Sequence, residues 1–242
     1  TRNPLRGQET EVHEQLKKIY LNSLIFGEKE AYIKIKGRKF RVDVLDRQNN
    51  IAYEIQRHNF GKGFYDKIKI LVSQLNIIIV HPIVIRQKVT RMKNGNIIGV
   101  SYINKSKYTD YYSLFEKLVS FRTVFVPQKI GFDVLLIKEH VKKEFAGIWS
   151  NSRRPRYRMT QRELMSIEES TEIRQKSDLY SFLPKGLPEV FTNRNISERL
   201  EIPGGNKRKR RIAGCITYSL SNLGLIELVG KKGRANQFII SK

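Results

Sequence analysis

Cysteine is nearly absent from this chain. The single Cys215 excludes an internal disulfide framework and any zinc site built from several thiolates. The four histidines are scattered and show no metal-ligand spacing. No apolar run approaches the roughly 18 residues needed to cross a bilayer. No signal peptide opens the chain, so the expectation is an intracellular, cytoplasmic protein without a membrane partner. Acidic residues are also scarce: 23 Asp plus Glu face 46 Lys plus Arg, a formal net charge of +23 over 242 residues. An apolar fraction of 40% is too high for a disordered polycation and sufficient for a buried core. A folded chain with so positive a field suits a polyanionic partner, and DNA is the expected one.

Residues 9–24 place Val12, Leu16, Ile19, Tyr20 and Leu24 at helical spacing. Three short β-like runs follow, at 31–35, 40–45 and 51–55, separated by the turn residues Gly37-Arg38 and Gln48-Asn49-Asn50, and they read as an antiparallel meander. Residues 61–74 read as a helix with Phe64, Ile68, Leu71 and Val72 on one face. Residues 77–80 form a continuous apolar run typical of a buried strand, which Pro82 is expected to end. The hairpin signal Asn94-Gly95 centres a basic segment, 83–103. A helix is expected over 114–121, a strand over 132–137, and a basic linker or arm over 151–178 that contains RRPRYRMTQR.

Two carboxylates stand out in the first part. Asp43 lies in FRVDVLD, and Glu54 and Gln56 share one face of the next strand in IAYEIQR. If the two strands pair, Asp43 and Glu54 converge. Two adjacent carboxylates repel, and a divalent cation relieves that repulsion. Mg²⁺, or Mn²⁺, favours such a setting because it takes one or two carboxylates together with substrate phosphate and water. Glu11 on the first helix can add a third carboxylate, with Glu14 as runner-up. Glu9 and His13 read as solvated helix-face residues.

The order helix-Glu, strand-Asp, strand-Glu-x-Gln, helix, strand over residues 9–85 resembles the PD-(D/E)XK, or restriction-endonuclease-like, nuclease superfamily. The spacing of Glu11, Asp43 and Glu54 is similar to that of archaeal Holliday-junction resolvases. The resemblance implies an α/β fold with an αβββαβ core. It also implies a metal-dependent DNA endonuclease in which Asp43 and Glu54 hold the metal, Glu11 assists, and Gln56 orients water or phosphate. The chain departs from the family at Gln56, where a lysine is usual. This E-x-Q variant loses a positive charge that Lys67 or Lys69 on the following helix can supply.

The C-terminal residues 179–242 resemble a winged helix-turn-helix domain. Thr192 is a good N-cap for a helix over 193–200. A longer helix over 207–223 begins with Lys207, Arg208, Lys209, Arg210 and Arg211, and Gly224 caps it. Two β-like runs, 225–229 and 237–240, flank a loop carrying Lys231, Lys232 and Arg234. The resemblance implies a DNA-binding domain in which these eight cations meet the duplex. The chain thus divides into a nuclease-like domain over 1–150, the basic linker over 151–178, and a winged helix over 179–242. Duplex cleavage by such a protein calls for a homodimer or a partner nuclease. The competing readings are a non-catalytic DNA-binding protein on a degenerate nuclease fold and a junction resolvase.

Overall fold

The computed structural model describes residues 11–57, 60–107, 109–119, 129–148 and 155–241. Helix α1 (Glu11–Asn22) is followed by the short strands β1 (Gly27–Lys29), β2 (Tyr32–Ile35), β3 (Arg38–Arg41), β4 (Val44–Asp46) and β5 (Ile51–Ile55). Helix α2 (Lys62–Leu71) leads into β6 (Asn76–Lys93) and β7 (Asn96–Asn104). A 3-10 turn at Tyr111–Leu114 runs into the short α3 (Phe115–Leu118), and the long strands β8 (Ile130–Ile148) and β9 (Pro155–Ile173) complete the first part. After a 3-10 segment at Lys176–Phe182 come α4 (Asn193–Arg199), α5 (Asn206–Asn222), β10 (Ile226–Lys232) and β11 (Ala235–Ile240).

The result is a mixed α/β protein around one seven-stranded sheet. Its order is β1-β4-β5-β6-β8-β9, with β7 also paired to β6. Strand β5 runs parallel to β6, and β6 parallel to β8; the flanking pairs are antiparallel. Helices cover both faces. Helix α1 buries Val12 and Leu16 against Ile55, Ile78, Val80, Leu135 and Ile137. Helix α2 buries Ile68 and Leu71 against Ala52, Ile77 and Ile79 on the opposite face. Alternation along β5 and β6 produces this division, because successive side chains leave opposite faces of a strand. Burial of each such side chain contributes about 2 kcal/mol. The α1 side is further pinned where the Tyr20 hydroxyl donates to Asp133 on β8 at 2.7 Å.

Three sequence expectations are corrected here. The early strands do not form one continuous meander: β2 and β3 pair only with each other in a separate ribbon. Pro82 does not end its strand. Strand β6 runs through it, with Pro82 opposite Leu135 of β8. The other edge of β6 explains this tolerance. Strand β5 pairs with β6 as far as Val80, and β7 begins to pair with it only at Arg86, so Pro82 falls where that edge lacks a strand partner. Proline is accepted where no ladder hydrogen bond is lost. Finally, most of the stretch read as a linker is strand β9, antiparallel to β8 from Phe132–Ile173 to Ile148–Pro155. Residues 151–154 lie outside the described residues, as does Glu9.

Local signals hold where chemistry is local. Asn94 and Gly95 both take positive φ, 52° and 79°, as the two central residues of a type I′ hairpin turn must. Thr192 caps α4: its hydroxyl accepts from the Asn195 amide, and the Asn195 side chain returns the bond. Gly224 adopts φ +71° after α5. Strands β10 and β11 form an antiparallel ribbon, to which Phe191 adds one bridge opposite Phe238. The helices of this C-terminal part do not have a separate core. Ile212, Ile216, Ile196 and Phe191 belong to the same buried cluster as Phe115, Phe132 and Ile77.

Candidate active site and nucleic-acid surface

Strands β4 and β5 pair from Asp46–Ile51 to Val44–Tyr53. Asp43 occupies the bend just before β4, and its side chain takes the next position, where Oδ2 accepts from the Ile55 amide at 2.8 Å. Helix α1 supplies two cationic or polar partners: His13 Nε2 lies 3.3 Å from Asp43 Oδ2, and the fully buried Lys17 lies 3.3 Å from Oδ1. Lys17 also pairs with Glu30. Burial alone would push the Asp43 carboxyl up. The His13 hydrogen bond and charge, the Ile55 amide and Lys17 overcome it and hold the pKa at about 2. Asp43 is therefore ionised throughout the working pH range.

Glu54 leaves β5 on the α2 side and is only 3% exposed. Lys67 of α2 sits 2.7 Å from each carboxylate oxygen. Only the Oε2 contact has hydrogen-bond geometry, and Oε1 is buried without a hydrogen bond. Burial raises the Glu54 pKa to about 7; Lys67 opposes this, and the charge of Asp43 adds to it. The two carboxylates are thus approached from opposite faces, Asp43 from α1 and Glu54 from α2, yet each lies within the other's field.

A pH dependence follows from the raised value. The folded protein keeps a proton on Glu54 that the unfolded chain releases above about pH 4.5. Stability from that proton is full below pH 4.5 and is lost as pH rises through about 7. The neutral isostere Glu54→Gln does not share this loss. Between about pH 5 and pH 8, urea unfolding should show Glu54→Gln gaining on the order of 3 kcal/mol relative to the parent chain. A difference that stays constant with pH would mean that Glu54 is already ionised at pH 5.

Other predicted site residues are placed differently. Glu11 does not approach Asp43: it is exposed and accepts from Gln161 of β9 at 3.0 Å. Glu14 pairs with Lys29. The α1 side chains that do reach Asp43 are His13 and Lys17, one turn apart, and His13, read from sequence as solvated, also donates to the Ile55 carbonyl at 2.9 Å. The signal was available, since residues i and i+4 flank the apolar stripe of Val12 and Leu16. Gln56 follows β5 directly. Its amide donates to the Val80 carbonyl at 2.9 Å, and its carbonyl accepts from Nδ1 of His81 at 2.6 Å. Burial lowers the His81 pKa to about 4, so this ring is neutral. Among the described residues, no group of three or more His, Cys, Asp and Glu side chains is arranged for a metal ion. The available donor set is the Asp43–Glu54 pair.

The eight C-terminal cations separate into two groups. Arg208 is buried, and its guanidinium grips Asp110 in two bonds of 2.8 and 2.9 Å and donates to the Pro203 carbonyl at 2.7 Å. Arg211 pairs with Glu116 of α3 at 2.7 Å. Arg208 is thus tied to the first part of the chain, which corrects the expectation for it, whereas Arg211 makes its ion pair there and stays 62% exposed. Lys207 and Arg210 are exposed at the start of α5, and Lys209 is half-buried. Lys209 and Arg210 line an open cleft of about 680 Å³ with Arg194 and Ala235. Lys231, Lys232 and Arg234 are exposed on the β10–β11 ribbon.

Among the described residues, no helix is long and apolar enough to cross a membrane. No curated protein and no solved structure matches the chain. A family model, described as a domain of unknown function (DUF8091), matches residues 10–174, from α1 to just past the end of β9 and short of the C-terminal helices. That match spans more than half of the 242 residues, and the chain belongs to the DUF8091 family.

Proposed function

We propose that this protein is a Mg²⁺- or Mn²⁺-dependent DNA endonuclease with a restriction-endonuclease-like core and a C-terminal winged helix that grips DNA. The observation that carries the reading is the Asp43–Glu54 pair. Asp43, in the bend before β4, and Glu54 on β5 lie within each other's field while α1 and α2 approach them from opposite faces, and burial raises the Glu54 pKa to about 7. Glu54 Oε1 is buried and accepts no bond of hydrogen-bond geometry, with the Lys67 ammonium 2.7 Å away. A divalent metal suits this donor set, with Asp43 and Glu54 as its protein ligands. When bound, it supplies Lewis acidity toward the phosphodiester and lowers the pKa of water.

The chain's own groups have separable tasks. Asp43 is held ionised by His13, Lys17 and the Ile55 amide and keeps its orientation. Glu54 ionises only near neutral pH, so metal affinity rises with pH up to about 7. Lys67, rather than Lys69, stands beside Glu54 and supplies the charge that Gln56 lacks. Cutting both strands of a duplex calls for a homodimer or a partner nuclease.

Purified protein with Mg²⁺ or Mn²⁺ is expected to nick or linearise supercoiled plasmid. Failure to cut plasmid, linear duplex, single strands and four-way junctions would reject the catalytic reading. Preference for the junction would favour a resolvase. One observation favours a second reading, a non-catalytic DNA-binding protein: fixed cations already stand against both carboxylates, Lys17 at Asp43 and Lys67 at Glu54. Stabilisation by Mn²⁺ in thermal unfolding, lost in Asp43→Asn, separates the two readings without any reference to cleavage.

The exposed cations of the ribbon support DNA binding in either reading. Replacing Lys231, Lys232 and Arg234 together by Gln should reduce the slope of log affinity against log salt by about 2 to 3. Anisotropy titrations with duplex DNA across a salt series would measure this. An unchanged slope would place the duplex elsewhere.

A further inference from the structure

The open edge of β6 forms a crevice apart from the carboxylate pair. Strand β5 leaves β6 after Val80 and β7 joins it at Arg86, so residues 81–85 present one edge with no neighbouring strand. The chain following β7 curls over this gap: the Lys105 amide donates to the Ile85 carbonyl at 2.7 Å, and the Thr109 hydroxyl donates to the Val84 carbonyl at 3.1 Å. Between them remains a cavity of about 420 Å³, floored by His81 to Val84. It lies where a parallel strand ends and its neighbour changes partner, the place where α/β sheets characteristically leave a binding crevice.

The lining of this crevice is strongly cationic. Arg57, Lys105, Lys117, Arg162 and Arg211 surround it against only two carboxylates, Glu116 and Glu139. Glu139 is fully buried and bound by Arg57 at 2.7 Å and by Gln87. Arg162 stands farther off, 3.8 Å from Glu139, and its Nε is buried without a hydrogen bond. Glu116 is engaged by Arg211. Arg57 and Arg211 thus answer the two carboxylates, and the positive charge at the cavity rests on Lys105 and on Arg162, which is only distantly paired. Burial lowers the Lys105 pKa; the Glu139 carboxylate opposes this, and the neighbouring Arg162, Arg57 and Lys143 add to the lowering.

We infer that this crevice binds a phosphate group, held by Lys105 and Arg162 with Arg57 behind them. The Arg162 guanidinium and the Lys105 ammonium, backed by the Arg57–Glu139 pair, suit the several oxygens of a phosphate group better than a single carboxylate. The phosphate can come from a nucleic-acid strand or from a free phosphate compound, and the two sources are separable by experiment. The site does not need the Asp43–Glu54 pair, so it stands or falls independently of the nuclease reading.

The test uses the full chain without divalent cations and inorganic pyrophosphate as the probe, in calorimetric titration at low salt. The parent chain is expected to bind it, Lys105→Gln about tenfold more weakly, and Lys105→Arg close to the parent, since one charge-assisted contact is worth about that factor. Lys105 is half-buried and makes no ion pair with either carboxylate among the described residues, so its replacement strands no buried charge. Arg162→Gln provides a second variant with the same expected loss. Absence of pyrophosphate binding, or equal affinity in parent and both Gln variants with unchanged circular dichroism, overturns the inference. In a second arm, short DNA with 5′-phosphate, 3′-phosphate or hydroxyl ends is titrated. Weakening of DNA binding by Lys105→Gln, with competition by pyrophosphate, assigns the crevice to a nucleic-acid phosphate. Pyrophosphate binding that is lost in the variant while DNA binding is unchanged assigns it to a free phosphate compound.

Discussion

Asp43→Asn is expected to lower plasmid cleavage in Mg²⁺ by about three orders of magnitude, equivalent to several kcal/mol of lost charge stabilisation. The substitution keeps the shape of the side chain and removes its charge. The remaining Oδ still accepts from the Ile55 amide, so β4 and β5 stay in register. The loss would therefore report on the metal and the phosphodiester, not on the sheet. His13 loses the Asp43 charge beside it and Lys17 keeps only Glu30 of its two carboxylates in this variant, so unfolding must be measured alongside. A folded Asp43→Asn protein that cuts as well as the parent would reject the assignment of this pair. The pH profile adds an independent check. The activity of the parent should rise toward about pH 7 as Glu54 loses its proton. Lys67 opposes the upward shift of Glu54, so Lys67→Met should move that limb to higher pH.

Arg208→Ala is expected to cost about 3 to 5 kcal/mol of stability, the range for breaking a buried ion pair from one side. Asp110 would be left without its two guanidinium bonds, and the Pro203 carbonyl without its donor. The contact joins α5 to the turn before α3, where the C-terminal helices meet the first part of the chain. Chemical unfolding of Arg208→Ala, Asp110→Ala and the double variant would measure the coupling. A double variant no worse than either single one is the expected pattern. Additive losses would show that the two residues act separately. Replacement of the exposed Lys207 or Arg210 should leave stability within about 0.5 kcal/mol and alter only ligand binding. The basic run at the start of α5 thus combines a structural cation with cations that remain available to a polyanion.

The sequence by itself determined the features that depend on short-range periodicity and turn chemistry. The Asn94-Gly95 turn needs two positive φ angles, and few other residue pairs accept them. Thr192 and Asn195 form a capping box within one turn of chain. Period-2 alternation placed Glu54 on the face opposite Ile55, and adjacency of two short strands brought Asp43 beside them. Even the choice between Lys67 and Lys69 was partly legible. Lys67 flanks the buried stripe of Ile68 and Leu71, whereas two residues farther along a helix lies on the other side.

Only the tertiary structure decided which partners these groups meet. The rotation of α1 about its axis is set by Val12 and Leu16 packing on β5, β6 and β8, and that rotation gives Asp43 to His13 and Lys17 and sends Glu11 to Gln161. Strand β9 was unreadable as a strand because its charged sequence alternates little, and it owes its order to the long ladder with β8. Pro82 looked like a terminator because its missing amide would break an interior ladder. Which edge of β6 lacks a strand at that point depends on where β5 ends and β7 begins, far apart in the chain. Arg208 and Lys207 are neighbours of one chemical type; 98 residues of chain separate Arg208 from the Asp110 that makes one structural and leaves the other exposed. Local patterning fixes which face of an element is apolar, but the charge that a polar side chain finally meets is set by contacts that no short window of sequence contains.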